Sequence, residues 1–133
     1  EAAVEAHPEM WAAANNLAFL ISENPHSAAD LDKALTYANQ ANEASPENPV
    51  ILDTVGWIYY KKGDLAQAEQ ALAKALTLAP DNPVVNYHMA MVLYDTGREL
   101  EAVGKLEQAL ADEQGFFGRE AAEKALQEMK ADG

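Results

Sequence analysis

From Asn48 onward, apolar residues fall at helical spacing in two successive runs. Leu52, Val55, Gly56 and Tyr59 form the first, and Leu65, Ala68, Leu72, Ala75 and Leu76 the second. Steps of three and four residues place each set on one side of a helix. The punctuation agrees. Asn48 offers a side-chain oxygen to cap the first helix, and Pro49 suits its opening turn. Lys62-Gly63 closes it, because glycine is favoured where the chain turns left-handed. Asp64 caps the second helix, with Gln67 three residues on in capping-box position, and Pro80 ends it. The pattern then starts again: Asn82-Pro83 follows Asn48-Pro49 at a distance of 34 residues. Val85, Met89, Ala90 and Leu93 mark the next helix, Thr96-Gly97 the turn, and Leu100, Ala102, Val103, Leu106, Ala109 and Leu110 its partner.

Upstream the period stretches. Ala34, Ala41 and Pro46 keep the 34-residue distance to Ala68, Ala75 and Pro80, whereas Trp11 and Leu17-Ala18 precede Pro49 and Val55-Gly56 by 38. The four extra residues are assigned to the turn Asn24-Pro25-His26-Ser27, where added length costs little loop-closure entropy. Residues 1–10 then read as the tail of a preceding unit, with Ala3 and Pro8 at the corresponding places. Residues 11–48, 49–82 and 83–114 are three copies of one helix pair. In 115–133, Gly115-Phe116-Phe117-Gly118 breaks the pattern. Arg119–Lys130 adds a single amphipathic helix bearing Ala122, Ala125, Leu126 and Met129. All of this forms one continuous all-α domain. No helix pair buries its apolar face alone, so stability comes from stacking, and a lone last helix caps the stack.

These residues resemble the tetratricopeptide repeat. Leu52, Val55-Gly56, Tyr59, Ala68, Leu72, Ala75 and Pro80 carry the likeness in the middle copy. Asn86, Met89-Ala90, Leu93, Ala102, Leu106, Ala109 and Gln114 carry it in the last, and Ala14, Leu17-Ala18, Ile21, Ala34, Ala38, Ala41 and Pro46 in the first. The family's tryptophan position is filled in none of them, and its final proline is missing once. The resemblance implies a right-handed solenoid of antiparallel helix pairs with a C-terminal capping helix. Ala18, Gly56 and Ala90 are then small because the two helices of a pair approach closely there. The long first copy and the closing FFGREAAEKAL segment are also similar to large bacterial multi-repeat envelope proteins linked to exopolysaccharide export and exosortase systems.

In such a stack the first helix of each pair lines the concave side. The family geometry implies that Asn15, Phe19 and Ser22, then Asp53, Trp57 and Tyr60, then Tyr87, Met91 and Tyr94 point there. Aromatic residues and methionine are enriched where partners bind. The stripe is read as a groove for a peptide or partner helix, with Asp53 favouring Lys or Arg. The other reading is that Trp57 and the tyrosines pack against neighbouring repeats. Family members that grip a C-terminal carboxylate do so with cations. The matching positions here hold Asn15, Phe19, Asp53 and Tyr87, so no EEVD-type peptide is expected to bind.

Charge narrows the partners. Nine Lys and Arg against 22 Asp and Glu leave a net charge of −13, which disfavours nucleic acid and anionic lipid surfaces. No stretch is long and apolar enough to enter a membrane. The absence of cysteine excludes disulfides and thiolate chemistry but leaves the compartment open, with a lean to the bacterial envelope by resemblance alone. His7, His26 and His88 show no metal-ligand spacing and are read as solvated or edge-packed. No phosphate loop or nucleophile elbow is present. No cofactor, metal or catalytic residue is expected. The function expected is a protein–protein interaction scaffold within a bacterial multiprotein assembly. The alternatives are a spacer that self-associates through exposed terminal helices, and an accessory domain of an enzyme such as a glycosyltransferase.

Overall fold

A computed structural model of the chain describes residues 8–23, 27–111, 115–116 and 118–132. Among them are seven helices in sequence: α1 (Pro8–Glu23), α2 (Ala28–Ala44), α3 (Pro49–Lys62), α4 (Leu65–Leu78), α5 (Pro83–Asp95), α6 (Glu99–Ala111) and α7 (Arg119–Asp132). The expected tail at residues 1–7, the inserted residues 24–26 and position 114 lie outside the described residues.

The ends form as the local chemistry dictates. The Asn48 side chain accepts from the Val50 amide, and that of Asn82 from the amides of Val84 and Val85. Each satisfies donors left open at a helix start. Gly63 and Gly97 turn the chain in the left-handed region, at φ 87° and 84°, a conformation costly for a side chain with a Cβ. Asp64 caps α4 by accepting from the Gln67 amide. The Asp64 amide, which a full capping box would give to the Gln67 side chain, is instead donated to the Tyr59 carbonyl.

The helices pack as three antiparallel pairs, α1 with α2, α3 with α4 and α5 with α6. Each second helix also packs on the next first helix, and α6 on α7. First helices touch one another in order, α1 with α3 and α3 with α5. The core falls in two clusters, with partly buried Tyr59 packed against both. One joins Ala18, Ala34, Ala38, Ala41, Ile51, Val55 and Ile58. The other is built around Leu72, Val85, Met89, Val92 and Leu106 and reaches Ala122 and Met129 of α7. At Gly56 the approach is so close that a Cβ would lie 2.7 Å from Leu72 Cγ and 3.2 Å from the Ala68 carbonyl oxygen.

One expected core residue is not there. Leu100 is 91% exposed. It precedes the inward Ala102 by two residues, about 200° around the helix, so it points away from the stack.

Candidate binding groove

The nine residues of the expected stripe sit on α1, α3 and α5, which lie side by side. The stripe divides by burial. Asn15, Ser22, Asp53 and Trp57 are buried, so they are not open to a partner as the sequence reading had them. Phe19, Tyr60, Tyr87, Met91 and Tyr94 are partly exposed. The reason is geometric. Side chains at the edges of a first helix's inner stripe enter the seam with the adjacent first helix, and only those between the seams reach solvent.

Asp53 makes the point most clearly. Its carboxylate lies 2.7 Å from His88 Nδ1, joining α3 to α5. This corrects two expectations. His88 is buried, not solvated or at an edge, and the Asp53 charge is engaged inside the protein rather than offered to a basic ligand. A buried carboxylate needs such a partner, because leaving it unpaired costs several kcal/mol.

Trp57 is 5% exposed and anchors a ring cluster. It stacks with His88 at a centroid distance of 3.9 Å and with Tyr60 at 4.7 Å, and Tyr87 tilts against it at 5.8 Å. Its indole N–H donates to Glu23 Oε2 at 2.8 Å, at the end of α1. Lys61 Nζ lies 5.2 Å from the ring centroid, within cation–π range. Tyr60 donates to Asp95. Burial, then that hydrogen bond and charge, raise its pKa above the ordinary phenol value. Tyr87 is raised as well, first by burial and then by the Glu23 charge. Both hydroxyls therefore stay protonated donors at neutral pH.

A cleft of about 1080 Å³ opens between Glu23 and the segment Phe116, Gly118, Arg119, Glu120, Ala121, Glu123 and Lys124. Glu23 on one wall is bonded to Trp57, and Gly118 on the other meets the Tyr87 ring, its Cβ position 3.0 Å from Tyr87 Cε2. Trp57 and Tyr87 thus bridge the two walls. Glu23 at the end of α1 and the start of α7 thus line one cleft beside the aromatic cluster. Arg119 is the better-engaged cation of the cleft, 3.8 Å from Glu123 and over the Phe116 ring.

The sequence reading missed Glu23, Asp95, His88 and Phe116 as parts of this site. A usable signal existed for two contacts. Glu23 and Trp57 are 34 residues apart, and Asp53 and His88 are 35 apart. The Asp53–His88 separation is close to the 34-residue step from α3 to α5, whereas Glu23 and Trp57 meet one helical turn short of the 38-residue step from α1 to α3.

Comparison with known proteins agrees with this architecture. A tetratricopeptide repeat family model matches residues 59–119. A TPR repeat-containing protein of Pseudomonas aeruginosa is 35% identical over 83 residues, taking in 52% of this chain and 14% of that protein. The probable UDP-N-acetylglucosamine–peptide N-acetylglucosaminyltransferase SPINDLY of Hordeum vulgare is 31% identical over 78 residues, 59% of this chain and 8% of that enzyme. The chain thus spans a small fraction of the curated relatives it matches. Among solved structures, the first TPR of Spaghetti (RPAP3) bound to the HSP90 peptide SRMEEVD superimposes with a TM-score of 0.70 at 17% identity, covering 89% of this chain and 91% of that one. Tetratricopeptide repeats are protein–protein interaction scaffolds. Repeated helix pairs, small residues at their seams and the shared fold establish a tetratricopeptide-repeat solenoid, with the family model itself matching residues 59–119.

Proposed function

We propose that the chain is an interaction module that holds a peptide or a partner helix along its inner face, as part of a bacterial multiprotein assembly. The supporting observation is the ring cluster. Trp57 is fixed by stacking and by its bond to Glu23 and lies against partly exposed Tyr60 and Tyr87, while Met91 and Tyr94 on α5 and Phe19 on α1 are also partly exposed. Rigid aromatics with polar tips offer large contact area at low ordering cost. The contact residues are therefore Phe19, Tyr60, Tyr87, Met91, Tyr94 and Phe116, while Asn15, Ser22, Asp53 and Trp57 position them. A preference for Lys or Arg in the partner rests on Glu23, Glu120 and Glu123 at the cleft and on the net charge of −13, which steer a basic ligand at low salt.

The test is selection from a displayed peptide library, followed by calorimetry on the winners. Selected peptides should shift Trp57 fluorescence and lose affinity at least tenfold on Met91→Glu or Tyr94→Ala, about 1.4 kcal/mol. Equal binding to those variants would refute the groove. The peptide SRMEEVD itself should not bind. Of the positions that would meet its carboxylates, Asn15 and Asp53 are buried, and none of Asn15, Phe19, Asp53 and Tyr87 is a cation. The glycosyltransferase relative supports a second reading, in which the same module serves as the non-catalytic partner-recruiting part of an enzyme.

A further inference from the structure

On the outer side of the stack, a groove of about 380 Å³ lies between α4 and α6. Leu76, Pro80, Met89 and Leu93 give it apolar surface. All of its lining falls within residues 69–108, an unbroken run of the described chain. Two bonds span it. Arg98, just before α6, holds the Glu69 carboxylate of α4 through two N–H groups. Gln108, near the end of α6, donates to the Pro80 carbonyl beyond α4. Lys105 stands on α6 between those two bonds and also lines the groove.

The equivalent place one repeat earlier is built differently. Tyr59 stands 34 residues before Leu93, Ala71 before Lys105 and Leu35 before Glu69. Tyr59 packs against both core clusters. Stacking therefore does not require the open space: a ring occupies the position that Leu93 leaves smaller, and the lysine does not recur. Lys105 is also set apart from the other bonded cations. Lys62, Arg98, Arg119 and Lys130 each have a carboxylate within ion-pair distance. Lys105 is partly buried, and none of the described carboxylates pairs with it, Glu101 one turn before it included. Its methylene stem can cover apolar surface while the ammonium stays open to an anion.

We propose that this groove binds a small organic monocarboxylate, its apolar body against Leu76, Met89 and Leu93 and its carboxylate on Lys105. Size selects a small molecule. Sites of roughly 300–1,000 Å³ take such ligands, whereas two turns of a partner helix about 10 Å across fill roughly 850 Å³. Charge selects the carboxylate, because Arg98 is occupied by Glu69 and Lys105 is the open cation of the lining. The net charge of −13 repels free anions, so the apolar body has to supply most of the affinity. The site is independent of the inner face, where Tyr87, Met91 and Tyr94 lie.

Titration of the whole chain with sodium octanoate, followed by amide NMR, tests the inference. The expected result is saturable shifts centred on Ala73, Leu76, Thr77, Leu93 and Lys105, with Kd below about 1 mM. Acetate should give no saturable shift. Lys105→Met keeps the stem and removes the charge, and should weaken octanoate about fivefold while leaving the weaker binding of neutral octanol unchanged. Leu93→Tyr, which places in the groove the ring found one repeat earlier, should abolish binding. Ala73→Phe blocks the groove from an exposed position, so the test stands even where Leu93→Tyr unfolds. No saturation by the parent, shifts centred on the inner face, equal affinity in Lys105→Met, or binding that survives Ala73→Phe would each overturn the proposal.

Discussion

Gly56 and Trp57 are adjacent on α3 yet serve different neighbours under different rules. Gly56 faces α4 in the seam inside a helix pair. There the residue is small, its counterparts Ala18 and Ala90 are also small and fully buried, and the opposing Ala34, Ala68 and Ala102 repeat the theme. Trp57 faces the junction between first helices. That junction holds a stacked imidazole, a buried carboxylate and an indole hydrogen bond, and none of these recurs in the other copies. The seam sets the fold and tolerates only small residues. The junction ties α3 to α1 through Glu23 and to α5 through His88, and carries this chain's own character.

The junction is the more vulnerable to truncation. Replacing His88 by Ala strands the buried Asp53 carboxylate and opens a gap beside Trp57. The expected cost is about 3–5 kcal/mol by urea denaturation. Asp53→Leu combined with His88→Leu should recover most of it, because removing both polar partners removes the unpaired charge. A double variant as unstable as the two single losses added together would show that the pair contributes no coupling.

The seam is vulnerable to enlargement. Gly56→Ala drives a methyl to 2.7 Å from Leu72 Cγ, and Leu72 is fully buried and cannot yield freely. A net loss of about 1–3 kcal/mol is expected, despite the better helix propensity of alanine. Gly104→Ala on α6 meets nothing within 4 Å and should instead stabilise by about 0.5–1 kcal/mol. Opposite signs for one substitution in two helices of the same fold would place the effect in the close approach. A gain at both sites would sink that account.

This contrast explains what was legible in the sequence. Whatever repeats could be aligned with itself. The period placed the helices, the caps at Asn48, Asp64 and Asn82, the left-handed Gly63 and Gly97, and the seam. What occurs once had no second copy to align. His88 was read as solvated because its partner is 35 residues away on another helix, beyond any local motif. Asp53 and Trp57 were assigned to the groove because spacing along one helix cannot tell the inner face from the seam with the next first helix. Leu100 was counted inward because hydrophobicity alone does not fix its angle about the axis.

Caps should act locally and weakly. Asn82→Ala leaves the amides of Val84 and Val85 without their acceptor, at a cost of about 1 kcal/mol. Asn82→Gly should cost only a few tenths. Both are read from the urea midpoint at constant slope. Because the Asn86 amide also donates to the Pro80 and Asn82 carbonyls, the turn keeps part of its structure, and the loss should stay below that of either region compared above.

The smallest effect separates the inner face from the outer by pH. On the outer side, the Arg98 guanidinium beside Glu69 lowers that carboxyl's pKa. A depressed carboxyl stabilises above its unfolded pKa and loses that contribution as pH falls through the folded value, so Glu69→Gln should flatten part of the acid limb. On the inner side, Tyr60 and Tyr87 are raised by burial and by nearby carboxylates. A raised phenol contributes fully below its unfolded pKa, near 10, and the contribution fades as pH climbs through the folded value. Tyr60→Phe, which cannot ionise, should therefore lose less stability than the parent between about pH 10 and 11, by at most about 1 kcal/mol after screening. At neutral pH the same variant lacks only the bond to Asp95. If thermal melts of Tyr60→Phe and the parent fall in parallel through that alkaline interval, the hydroxyl is not held by the inner face, and the rigid aromatic floor proposed for the groove loses one of its supports.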